Sequence, residues 1–238
     1  MVDLFDEVDE QLRSDRYQGF VRSVLPWATA IFAAAIVGYF GYWGFKLFQD
    51  RRLETATSQY QQGVDALDQH PGDAATHFKA AEAGPAVYKT LALMQQGGLS
   101  LTAGRNEEAA RLYDEAAKAA PNPIFGDLAS LKAALALLDH APYPQLQTRL
   151  APLTDQKRPY WAQAKEALAM AELLAGRTQA ARADLNSLSL RLGVPDDVRQ
   201  RSAEAVQAID GGGAATAIAA AKSPAAPVAP AAPAGAAQ

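Results

Sequence analysis

Residues 23–45, SVLPWATAIFAAAIVGYFGYWGF, run for twenty-three positions without a charge. As a helix rising about 1.5 Å per residue, the run reaches about 34 Å, enough for a hydrocarbon layer of about 30 Å. Arg22 closes one end, and Lys46, Arg51 and Arg52 close the other. Trp27 and Trp43 stand roughly 24 Å apart along such a helix, close to where interfacial aromatic belts lie. Buried core helices are usually shorter and broken by polar residues. The stretch therefore reads as a single transmembrane helix, assigned to residues 23–48. Pro26 is placed at its first turn, where the missing N–H costs nothing. The preceding segment is long and mostly acidic, and KLFQDRRLE after the span offers no small-residue cleavage site. A retained anchor is expected rather than a cleaved signal.

Charge does not orient this anchor. Arg13, Arg16 and Arg22 before the span balance Lys46, Arg51 and Arg52 after it, and acidic residues count for little in the positive-inside rule. In residues 1–22, Phe5, Val8 and Leu12 are spaced as one face of a short amphipathic helix. A solvated, fraying tail is the competing reading. Within the span, Ala30, Ala34, Gly38 and Gly41 fall inside an arc of about 80° at 100° per residue. Phe32, Tyr39 and Trp43 project from the other side. Small residues on one face let a second helix approach closely, so these four are candidate partner-binding residues. The plain alternative is that an alanine-rich chain makes such stripes by accident.

The net charge is −4 and the pI near 5.4, which argues against non-specific nucleic-acid binding, since that needs a basic surface to displace counterions. No cysteine is present, so disulfides, zinc–thiolate sites and thiol nucleophiles are excluded. His70 and His77 lack the i, i+4 spacing of paired metal ligands, and His140 stands apart from both. Gly97-Gly98 and the 211–213 glycine run lack a P-loop lysine or a dinucleotide pattern, and no Gly-x-Ser-x-Gly elbow occurs. Acidic pairs such as Glu107-Glu108 and Asp196-Asp197 sit at expected helix starts, where carboxylates favour the positive dipole end. No catalytic, cofactor-binding or metal-binding residue is assigned, and an enzyme is not expected.

Beyond the anchor, abundant alanine and few β-branched residues predict helices. LETATSQYQQGVDALDQ continues the anchor helix outward, HPGD at 70–73 is a turn, and residues 74–84 form a returning helix ended at Gly84-Pro85. Residues 90–123, TLALMQQGGLSLTAGRNEEAARLYDEAAKAAPNP, resemble a tetratricopeptide repeat, the 34-residue helix–turn–helix unit. Gly97 takes the small position of the first helix, with Leu93 four residues before it. Gly104 makes the turn, Ala109, Tyr113 and Ala116 line the second helix, and Pro121 ends it. Gln96 and Ser100 depart from the usual large apolar choices. Gly97 and Ala109 are expected at a close helix crossing, with Tyr113 filling the gap to the next pair. The 0, 4, 7 spacing recurs at Ala74, Phe78 and Ala81, at Leu146, Leu150 and Leu153, and at Ala181, Leu185 and Leu188. The pattern predicts about four helical pairs and a capping helix over 197–209, an α-solenoid. Leu91, Met94, Leu101 and Thr102 are its candidate groove-side, partner-binding positions. From residue 211 the composition turns to alanine and proline, with Pro224, Pro227, Pro230 and Pro233 every third residue. A polyproline II partner edge is one reading, and a disordered tail the favoured one.

The expected fold is thus all-α. Residues 1–22 form a leading segment, 23–48 the anchor, 49–210 a short tetratricopeptide-like solenoid and 211–238 a disordered Ala/Pro tail. That layout, with RLETATSQYQQGVDAL after the span and AVYKTLALMQQGGLSLTAGRNEEAARLYDEA in the middle, resembles the YfgM-like family, ancillary subunits of the SecYEG translocon. The resemblance covers roughly residues 1–210, and the long Ala/Pro tail departs from it. It implies a bacterial inner-membrane protein with its amino end in the cytoplasm and its solenoid in the periplasm, beside the translocon and periplasmic chaperones. It brings no catalytic residues. A membrane-anchored adaptor is the leading functional expectation, and a scaffold for division or cell-wall machinery the alternative.

Overall fold

The structure is a computed structural model that describes residues 3–67 and 70–213. Among the described residues it is all-helical, with nine α-helices and no strand. The expectations for the tail beyond residue 213, and for the side-chain face of Phe5, Val8 and Leu12, lie outside the described residues. The chain divides into two units, Met1–Thr55 and Ala56–Gln238.

The first unit is the greater part of helix α1, Asp3–Ala66. Among the described residues one stretch, Thr29–Ala66, is long and apolar enough to cross a membrane. Every described side chain from Trp27 to Thr55 is exposed. Soluble packing does not account for this apolar surface, which is what a lipid-facing helix shows. The structure corrects the sequence expectation for Pro26. Because α1 starts at Asp3, Pro26 is an interior residue of the helix and not a first-turn one. Its ring removes one i→i−4 hydrogen bond, a loss that membrane helices offset with local adjustments.

The second unit begins with the last turns of α1 and continues through α2 (Pro71–Ala81), α3 (Ala86–Thr102), α4 (Asn106–Ala119), α5 (Pro123–Ala136), α6 (Tyr143–Leu150), α7 (Trp161–Leu174), α8 (Thr178–Leu190) and α9 (Asp196–Asp210). A 3-10 turn, Ala151–Leu153, completes α6. Local chemistry sets the boundaries. Within the 70–73 segment, expected to be a turn, His70 is the N-cap and residues 71–73 already belong to α2, because Pro71 is tolerated in a first helical turn and Asp73 favours the positive dipole end there. The Asn122 side chain accepts a hydrogen bond from Phe125 N at 3.2 Å and starts α5, with Pro123 next. Two turns share one construction. Gly104 and Gly176 adopt φ of +72° and +78°, and Arg105 N and Arg177 N reach back to the carbonyls of Ser100 and Glu172 at 2.9 and 2.8 Å. This is the six-to-one bond of a Schellman ending, which only glycine enters without a Cβ penalty.

Consecutive helices pack as antiparallel pairs, and the first helices α3 and α5 also touch each other. Small residues on first helices receive large ones from second helices. A Cβ on Gly63 would lie 2.7 Å from Phe78 Cε1, and one on Gly97 2.7 Å from Tyr113 Cε1. In the third and fourth pairs the partners become alanine and leucine: Ala134 shares a cluster with Leu150, and Ala169 shares one with Leu185. Close packing forces this trade, since the side-chain volume between paired helices has to stay nearly constant. Tyr113 therefore fills the hollow at Gly97 in its own pair. It also packs in the cluster that holds Ala133, Leu137, Leu146 and Ala171 from the following helices, as expected. Helix α9 closes the array with Val198 and Ser202 buried and its other side polar, the pattern a terminal cap requires.

Candidate interaction surface

Gly98, Leu135 and Met170 each come directly after the small residue that faces the second helix: Gly97, Ala134 and Ala169. Helical rotation carries each about 100° round from the pair, which leaves Leu135 and Met170 on the surface and Gly98 half-buried, where an added Cβ would lie 3.8 Å from Tyr113 Oη. Leu135 and Met170 are 46% and 41% exposed. Leu101 at 41% and Val87 at 39% extend the stripe on α3, and Ile124 at 55% does so on α5. Thr102 is also exposed, and its hydroxyl donates to Gly98 O at 3.0 Å. Leu91 is half-buried on the same helix. Met94 is half-buried too, and packs against Leu93, Leu112 and Tyr113 as much as it faces outward.

Sequence reasoning missed Leu135 and Met170. The signal was available in their position one residue after a buried small residue. For Leu135 it was masked by the link, since six residues join α5 to α6 where three join α3 to α4.

The four anchor positions stand differently. Ala30, Ala34, Gly38 and Gly41 are exposed, and a Cβ on Gly38 or Gly41 would meet nothing within 4 Å. They share a helix face, and among the described residues no side chain packs against Gly38 or Gly41.

Polar groups near these surfaces brace helices together. Tyr143 Oη donates to Glu172 Oε1 at 3.1 Å, and the Arg177 guanidinium lies 4.5 Å from the centre of the Tyr143 ring. Burial raises the Tyr143 pKa above its ordinary value, and the hydrogen bond and charge of Glu172 add to the rise. A cleft of about 280 Å³ beside them is lined by Leu138, Leu146, Leu174 and Ala175. A second, of about 490 Å³, lies between α4 and α6 and is bridged by Arg149 Nη1 to Asp114 at 2.8 and 2.9 Å. Asp127 is 3% exposed and accepts from Arg158 Nη2 at 2.5 Å, tying the link before α7 to α5. His77 Nδ1 meets Gln59 Oε1 at 2.9 Å, and His140 Nε2 pairs with the Asn106 amide. Among the described residues no group of three His, Asp or Glu side chains is placed to hold a metal ion. The site the geometry builds is an apolar surface on a braced helical array.

No curated protein and no solved structure matches the chain. The model of a tetratricopeptide repeat-like domain matches residues 23–187, well over half of the 238 residues. Paired antiparallel helices, glycine turns and small-to-large crossings agree with that match, and the chain belongs to the tetratricopeptide repeat-like family.

Proposed function

We propose that the protein is a membrane-anchored protein-interaction subunit, an adaptor ancillary to the SecYEG translocon and the periplasmic chaperones. In this reading the anchor lies in the bacterial inner membrane, with residues 1–22 in the cytoplasm and the helical pairs in the periplasm. The stripe of Val87, Leu101, Ile124, Leu135 and Met170 is the observation that carries it. Apolar surface recurring on successive first helices suits an extended or helical segment of a partner chain. The layout and segments that resemble the YfgM-like family supply the choice of partner. Ala30, Ala34, Gly38 and Gly41 serve as the face for another membrane helix, and Leu91, Leu101 and Thr102 as part of the soluble contact.

Co-purification from native membranes in mild detergent tests both contacts. Leu101→Asp with Leu135→Asp should lose soluble partners several-fold while translocon components stay bound. Gly38→Leu with Gly41→Leu should do the reverse, because close backbone approach is blocked while the helix stays apolar. Recovery of division or cell-wall components instead of the translocon would replace this reading with that of an envelope scaffold.

A further inference from the structure

Antiparallel pairing puts the start of every first helix and the end of every second helix on one edge of the second unit. The links 82–85, 120–122 and 191–195 lie on it. The chain also enters the unit there: a Cβ on Gly84 would fall 2.2 Å from the Cβ of Ala56, so α1 passes against the α2–α3 link. Two side chains on this edge have no account in the fold. Leu190 is 76% exposed and Leu192 90%, the highest values for large apolar residues among those described.

The end of α8 and the loop after it, which carry them, are pinned. Val194 is 3% exposed and clusters with Ala162, Leu188 and Val198. Gly193, at φ +83°, turns the chain between the exposed and the buried residue. The Arg191 guanidinium lies 5.4 Å from the Trp161 ring centre. Anchored backbone thus holds two leucines in water, forgoing the transfer free energy that burial would supply.

We infer that the Leu190–Arg191–Leu192 knob is a membrane-surface contact, with the leucines entering the acyl boundary and Arg191 at the headgroups. The inference rests on the reading of the apolar helix as a membrane anchor. Its basis is where the chain enters, because the edge next to Ala56 is the one closest in sequence to the apolar run. Tethering raises the effective concentration of that edge at a bilayer, so a contact too weak to bind free vesicles suffices. Charge permits it. Asp196 and Asp197 at the start of α9 are paired with Arg199 and Arg201 at 2.5 and 3.1 Å, which blunts their repulsion of anionic lipid.

The absence of cysteine allows single-site labelling of the full chain. A fluorophore on Leu192→Cys, in vesicles of phosphatidylcholine and phosphatidylglycerol carrying headgroup-level nitroxide lipids, should be quenched several-fold more than one on Glu107→Cys. Glu107 lies at the opposite edge, in the first turn of α4. Adding Leu190→Ser should reduce quenching at 192. Equal quenching at the two sites, with the protein floating with the vesicles, overturns the inference. So does a label at 192 shielded from aqueous iodide but not reached by the nitroxide, which would mean a protein partner such as a second copy. Failure to float overturns the anchor reading, and this inference with it.

Discussion

Gly38 and Gly97 are the same residue in the same secondary structure, and their surroundings are opposite. A methyl group on Gly38 meets nothing within 4 Å, whereas one on Gly97 collides with the Tyr113 ring at 2.7 Å. The anchor carries its apolar atoms outside, and the helical pairs carry theirs between helices. Small residues in the pairs are therefore fixed by packing within the chain. Small residues in the anchor are free of that constraint, and any demand on them comes from lipid or another helix. Composition does not separate these cases, since both regions are rich in alanine and glycine.

Three variants sharpen the contrast. Gly97→Leu should have the largest effect, about 3 kcal/mol or somewhat more, since overpacking usually costs about 1–3 and this site lacks room even for a methyl. Thermal unfolding of the full chain in detergent reads it, and an unchanged midpoint would sink the Gly97–Tyr113 crossing. Gly104→Ala comes next, at about 1–2 kcal/mol, the cost of placing a Cβ in the left-handed region. It should lower the same midpoint although a Cβ there touches nothing, so a neutral result would point to a rearranged turn. Gly38→Leu with Gly41→Leu should change the midpoint least, within about 0.5 kcal/mol. A larger shift would mean that these glycines pack on the helical pairs, and the contrast would fail.

Much of this was legible in the sequence for a local reason. Seven residues of periodicity are enough to place Ala109, Tyr113 and Ala116 on one face, and glycine before a helix start marks the turns at 104 and 176. The candidate surface was legible only in part. Of the four positions named on α3, Leu101 and Thr102 are exposed and Leu91 and Met94 half-buried, with Met94 also packed against the core. Leu135 and Met170 reach the surface only once the phase of α5 and α7 against their neighbours is set. That phase is a property of how the helices dock, and no window of one helix contains it.

By itself the sequence determined the uncharged run of 23–45, the helical character of the chain beyond it and the small-to-large rhythm of the repeats. These depend on side-chain chemistry at fixed spacing along one chain direction. The tertiary structure decided which large residue fills which hollow, how buried Asp127 finds Arg158 thirty-one residues away, and which leucines are left in water at 190 and 192. Those outcomes depend on distances between segments far apart in the chain. They are settled only when all the pairs pack at once.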